Sequence, residues 1–114
     1  MGIRQRMRHR ATVERDVGTT VDPEGGHVPE WVQIHGSLPC YVQPKSAQTL
    51  TQEGKFLSVR LWCLWAPLGA DIREEDRVTQ VTDLNGSIRI DDTLRVMPPL
   101  ERETHLEMVL EEYS

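Results

Sequence analysis

Four histidines, His9, His27, His35 and His105, and two acidic clusters, Glu74-Glu75-Asp76 and Asp91-Asp92, are the residues of this chain best suited to metal ligation or proton transfer. The histidines are scattered and no two stand at ligand spacing, so they read as ordinary surface or core residues. Neither acidic cluster has the spaced oxygen ligands of a calcium loop, and both read as solvated turns. No Gly-x-Ser-x-Gly, phosphate loop, dinucleotide fingerprint or Cys/His nucleophile pair occurs. Catalysis, a metal site and a cofactor are therefore not expected. Cys40 and Cys63 lack metal spacing and lie in runs that read as buried, which makes them reduced core thiols. Asn85-Gly86-Ser87 matches a glycosylation acceptor in form and reads as a turn.

The chemistry that remains is that of contact surfaces. Arg4, Arg6, Arg8 and Arg10 alternate along the first strand, and with Arg15 they face only Glu14 as a counter-charge in the first fifteen residues. The last fourteen invert this, with Glu101, Glu103, Glu107, Glu111 and Glu112 against Arg102. Like charges stacked on one strand face repel unless something negative covers them. The expected cover is the glutamate-rich last strand, in the same or a neighbouring subunit, with Glu107 and Glu111 opposite Arg4 to Arg10. Arg60 and Trp62 share a face of the strongest strand, and an Arg plus Trp pair on an exposed face is typical of an interface hot spot.

The elements that position these residues are read as strands. Residues 3–15 alternate, with Met7, His9, Ala11 and Val13 opposite the arginines. Asp16 to Gly26 reads as a hairpin-type loop, followed by a strand from Trp31 to His35, a turn at Gly36-Ser37 and a third strand from Leu38 to Gln43. Pro39 marks a strand start or an edge. Pro44 to Gly54 is polar and reads as a loop, with a short helical turn begun by Ser46. The next strand places Leu57, Val59, Leu61, Cys63 and Trp65 on its apolar face. Ala70 to Asp76 is a charged turn, Arg77 to Thr82 a strand, and Asn85-Gly86 a tight reversal into Ser87 to Asp91, with Ile88 and Ile90 inward. A strand from Thr93 to Met97 ends at Pro98-Pro99. The last run, Thr104 to Tyr113, fits a strand through Leu106, Met108 and Leu110 and is taken as one over a helix. Short strands at this spacing indicate an all-β domain, a small barrel or sandwich.

The 114 residues with a net charge of −5 suit one domain. No apolar run reaches the length of a membrane-spanning helix, and the basic first ten residues lack the apolar stretch of a secretory signal. An acidic chain without a continuous basic footprint is poorly suited to nonspecific duplex binding.

The order of these pieces resembles the phage head–tail joining proteins, the stopper or connector subunits of long-tailed bacteriophages. The stretch from Met7 to Arg15 is similar to that family's opening Arg-His-x-Val-x-Arg strand, and Asp22…Gly25-Gly26…Glu30-Trp31 to its loop before the second strand. Cys40-Tyr41-Val42-Gln43-Pro44 resembles the strand that leads into a polar loop. Gly69-Ala70-Asp71-Ile72-Arg73-Glu74-Glu75-Asp76-Arg77-Val78 resembles a Gly-x-Asp-Val-Arg-x-Gly-Asp-Arg-Val turn. Two departures stand out: Glu75 occupies a position where glycine is common, and the last strand ends in acidic residues. The resemblance implies a small SH3-like β-barrel with a long polar loop between its third and fourth strands. It also implies a homo-oligomeric ring, hexamer or dodecamer, in the virion neck between portal–adaptor and tail proteins. Such a protein is made in the host cytoplasm, and DNA passes through the ring without specific binding. The loop, Lys45, Ser46, Gln48, Thr49, Thr51, Gln52, Glu53 and Lys55 included, is then expected to project toward the channel and help gate it. Arg60 and Trp62 are expected to meet a partner ring. Two other readings are a tail-completion or tail-terminator ring protein and a monomeric ligand- or nucleic-acid-binding β-barrel.

Overall fold

The computed structural model describes residues 7–50 and 56–112. Ten strands follow in order: β1 (His9–Asp16), β2 (Thr20–Val21), β3 (His27–Val28), β4 (Trp31–Leu50), β5 (Phe56–Pro67), β6 (Arg77–Asp83), β7 (Ile88–Ile90), β8 (Leu94–Val96), β9 (Leu100–Glu101) and β10 (His105–Glu112). The main sheet runs β1-β4-β5-β10-β8-β6, and β6 pairs back onto β1, so six antiparallel strands close into a barrel. The all-β small barrel is the fold expected, and the last run is a strand, as expected.

Alternation builds the interior. Ala11 and Val13 of β1, Leu38 and Cys40 of β4, Leu64 and Ala66 of β5, and Met108 and Leu110 of β10 are all buried. Three register shifts along β1, two against β4 and one against β6, let longer strands follow the curve of shorter ones. Ala11 faces Leu38 and Val13 faces His35, so β4 fits an extra residue opposite Thr12. Against β6, Thr12 faces Gln80 and Val13 faces Val78, so the extra residue is Thr79. That bulge is why Val78 and Val81, three positions apart, are both fully buried.

Several expectations are corrected here. Gly36-Ser37 is not a turn: it lies inside β4, at the bulge, and the two strands expected on either side are one. Pro39 is neither a start nor an end. It sits where β1 pairs one edge of β4 and the β5 ladder, which starts at Tyr41, has not begun, so its missing N–H is not needed on the second edge. The inward face of β5 is the other one. Leu64 and Ala66 are buried and Trp62 packs against the core, whereas Leu61, Cys63 and Trp65 are half-buried on the outside. Cys63 is therefore not a core thiol, and Trp62 is not on an exposed face. Ile90 is buried as expected, but Ile88 is 56% exposed, where β7 begins.

The polar stretch after Pro44 is mostly strand. Lys45, Ser46, Gln48 and Thr49 belong to β4, which pairs with β5 from Lys45 opposite Leu61 to Leu50 opposite Phe56. Thr51, Gln52, Glu53 and Lys55 lie outside the described residues. Because β1 reaches β4 only to Cys40 and β10 reaches β5 only to Leu61, this part is a two-stranded arm. A second hairpin, β2–β3, projects from the opposite end of the barrel. The radius of gyration is 15.8 Å, above the ~13 Å of a compact domain of this length, because these hairpins stand away from the core.

The turn before β6 carries one strained residue. Glu75 has φ of 72°, the left-handed region that costs an L-residue about 1 kcal/mol and a glycine almost nothing. Its N–H donates to the carbonyl of Val96, which holds the conformation in place. Glu75→Gly is expected to raise unfolding stability by up to about 1 kcal/mol, read from the urea midpoint at unchanged slope. An unchanged or lower midpoint would show that the side chain contributes a contact of its own.

Candidate interaction surfaces

The inward row of β1 runs Ala11, Val13, Arg15, so its last place, at the end of the barrel, is a guanidinium. Arg15 donates from Nε and Nη2 to the two carboxylate oxygens of Asp76 at 3.0 and 2.9 Å, and from Nη1 and Nη2 to Asp71 at 3.2 and 3.0 Å. The Arg15 and Asp76 side chains are only 16% and 3% exposed. Asp76 also accepts the backbone N–H of Arg73, and its carbonyl accepts from Val96. The turn is thereby drawn across the barrel end with Ile72 buried beneath it. Glu74 and Glu75 are solvated, as expected, but Asp76 is a buried structural carboxylate. The expectation failed there because nothing local marks which of three adjacent acids turns inward. Both carboxylates raise the Arg15 pKa, so this charge is permanent.

The hairpin β2–β3 is held at its neck by Asp16. Its carboxylate accepts the N–H groups of Gly18 and Glu30, both at 2.9 Å, and lies 2.6 Å from Nε2 of His27. Those bonds, the Glu30 N–H first, hold its pKa down at about 2. A β-carbon at Gly18 would run into the carbonyl of Val28, so the close approach of the two neck strands needs glycine there. Beyond the neck, Val21 and Val28 are 62% and 40% exposed.

Three rings run across the outer face, on β4, β5 and β10, and His9 of β1 meets the first of them from the barrel mouth. His9 stacks on Tyr41, Tyr41 meets Trp65 at a tilt, and Trp65 stacks on His105 with centroids 4.5 Å apart. The indole N–H of Trp65 donates to Glu107 at 2.9 Å, and Arg102 binds the other oxygen of that carboxylate. Arg102 holds the Glu107 pKa below the usual range. Arg8, Tyr41, Gln43 and Trp65 line a shallow depression of about 340 Å³ beside this strip. Trp31 lies under the guanidinium of Arg77, 4.0 Å from its ring centre. The strip was missed because its members are far apart in sequence and only register aligns them.

The expected charge pairing is not made inside one chain. β1 borders β4 and β6, whereas β10 borders β5, β8 and β9. Glu107 pairs with Arg102 and Glu111 with Arg95 at 3.4 Å, while Arg10 donates to the carbonyls of Met7 and His9 on its own strand. Arg8 is exposed, and Arg4 and Arg6 lie outside the described residues. Burial pushes the Cys40 thiol up to about 12, and burial with Glu107 nearby also raises Cys63, so neither is a ready nucleophile. Among the described residues, no three His, Cys, Asp or Glu side chains gather as a metal site, and no helix is long and apolar enough to cross a membrane.

The family model for phage head completion proteins matches residues 3–97. The chain belongs to that family. Head completion proteins are structural parts of the phage virion where head and tail meet, which agrees with the resemblance drawn from the opening strand and the Gly69–Val78 turn. The fold is similar to that of the phage-like element PBSX protein xkdH from Bacillus subtilis. The TM-score is 0.56 at 22% identity, over 91% of this chain and 92% of that one. No curated protein matches the chain.

Two outcomes test this head completion barrel. Arg15→Ala strands the buried Asp76 charge and is expected to cost about 3 kcal/mol or more in chemical denaturation, against under about 1 for Arg102→Ala on the surface. For Asp16, a folded pKa below the ordinary 3.8 contributes stability that is full above that value and is lost as pH falls through about 2. The melting-temperature advantage of the natural chain over Asp16→Asn is therefore expected to vanish across that interval. An offset that stays constant with pH would refute the assignment.

Proposed function

We propose that this head completion protein is a ring subunit of the head–tail joint, a stopper or connector set between the portal–adaptor complex and the tail. The observation that carries the reading is the arm formed by Lys45–Leu50 and Phe56–Arg60, paired only with itself in one chain. Register places Ser46 opposite Arg60, Ala47 opposite Val59, Gln48 opposite Ser58, Thr49 opposite Leu57 and Leu50 opposite Phe56. A two-stranded ribbon is marginal in water and is stabilised when a neighbour covers it. In a ring, the arms converge on the central channel, and the polar, nearly neutral composition of the stretch from Lys45 to Lys55 lets DNA slide past without being gripped. Arms that swing together close the channel and arms that part open it.

In this reading the subunits join through the opposite charges of the first and last strands. β1 begins and β10 ends at the same end of the barrel, separated by β4 and β5. In this reading Arg4, Arg6, Arg8 and Arg10 of one copy meet Glu107, Glu111 and Glu112 of the next across a ring interface. Each exposed pair contributes about 0–1 kcal/mol, and closure repeats the contact at every subunit. The aromatic strip from Tyr41 to His105 supplies the apolar centre of that contact.

Light scattering behind a sizing column, on the protein alone and mixed with portal–adaptor particles, tests the assignment. Joining the particle in fixed stoichiometry is the expected result. Reversal of Arg6 and Arg8 to glutamate is expected to abolish it at low salt, and undiminished joining by that variant would discard the charge contact. A stable monomer that ignores the particle and binds single-stranded DNA tightly would overturn the ring itself.

A further inference from the structure

The barrel end from which the arm departs is open, and a cavity of about 330 Å³ lies in its mouth. Val42 and Pro44 at the base of the arm, Trp62 opposite them, and Ile88 and Ile90 of β7 form apolar walls, with His9 and Arg89 among them. Three side chains here carry N–H donors, those of His9, Trp62 and Arg89, with Asp83 opposite His9 in register. The N–H of Val42 donates to Nδ1 of His9 at 3.0 Å, so the neutral imidazole carries its proton on Nε2. The indole N–H of Trp62 is shielded from solvent and has no acceptor. Arg89 is exposed and, among the described residues, has no carboxylate within ion-pair distance. Burial and the charge of Arg89 together lower the His9 pKa, which keeps the ring neutral beside the guanidinium.

A buried indole N–H without an acceptor and a guanidinium without an ion-pair partner among the described residues, in an apolar recess, call for an anion that carries hydrocarbon with it. We propose that this mouth docks a short acidic and apolar segment of a protein partner. Its carboxylate is received by Arg89 and by Nε2–H of His9, and its neighbouring aliphatic or aromatic side chain is seated against Trp62, Pro44 and Ile88. A protein segment fits better than a polyphosphate strand, because Asp83 and Glu112 stand at the same end and repel extended negative charge while a single carboxylate is tolerated. The volume suits one large side chain and its acidic neighbour, not a helix. The proposal deepens the head–tail reading by naming the chemistry of a partner, and it rests on that reading only for where the partner is met. An occupant here would bridge β7 to the base of the arm.

The test is the ¹H–¹⁵N spectrum of the full chain, in which the three tryptophan indole signals are separate and Trp62 is assigned by Trp62→Phe. The probe is the peptide acetyl-Leu-Phe-Glu-Leu-amide, with the same peptide carrying glutamine for glutamate, and a 5′-phosphorylated oligo-dT, as comparisons. Saturable movement of the Trp62 signal by the glutamate peptide is expected, with Trp31 and Trp65 unmoved. Binding is expected to weaken roughly tenfold or more with the glutamine peptide and with Arg89→Gln, an exposed site whose change spares the core. A Trp62 signal that the glutamate peptide leaves in place would overturn the proposal, as would equal binding of the glutamine peptide or equal binding by Arg89→Gln. Movement by oligo-dT alone would overturn it in favour of nucleic acid. Light scattering on the same sample with portal–adaptor particles reads ring assembly separately, so loss of one reading is distinguishable from loss of the other.

Discussion

Closure of the barrel depends on β1, the strand hydrogen-bonded on both edges by strands far from it in sequence, β4 and β6. Its inward row ends in Arg15, and the buried pairing of that guanidinium with Asp76 and Asp71 ties the last part of β1 to the turn that precedes β6. A hydrophobic residue in that place would fill the end of the barrel but would not choose one path for the turn. Bidentate geometry to Asp76, with the Arg73 N–H on the same carboxylate, does choose. The left-handed backbone at Glu75 belongs to the same arrangement: the path is over-determined by its neighbours, so a residue other than glycine survives there.

Once the barrel is closed, the strands paired on one side only among the described residues are β7, β9 and those of the projecting hairpins. The two hairpins are stabilised differently. The short one is held at its neck by one carboxylate that collects backbone donors, so its exposed valines are presented on a fixed stem. The long one continues the core strands outward, and its direction follows from β4 and β5 as they leave the barrel. A closed barrel with two projections is in keeping with a family of structural proteins of the phage virion.

Sequence reasoning was sound wherever a local pattern had one physical outcome. Alternation from Met7 to Val13 gave the inward row of β1, Asn85-Gly86 gave a reversal with Gly86 at φ 86°, and Leu106, Met108 and Leu110 gave the last strand. It failed where two outcomes are locally equal. Both faces of β5 are largely apolar, and the choice between Trp62 with Leu64 and Cys63 with Trp65 was made by the strands on either side. A polar run after Pro44 looks like a loop, yet it extends as strand because a strand of matching length pairs with it.

By itself, then, the sequence determined an all-β domain, the charge separation between its first and last strands, the family to which it belongs and the lack of any recognisable catalytic motif. All of these follow from residue types read at short range or in fixed order. Only the tertiary structure decided that Asp76 is buried beside Arg15, that the aromatic rings of β4, β5 and β10 line up, and that the glutamates of β10 meet Arg95 and Arg102 before any neighbour's arginine. Those facts depend on register and closure, in which residues dozens of positions apart are brought within a few ångströms, and no local propensity encodes that distance.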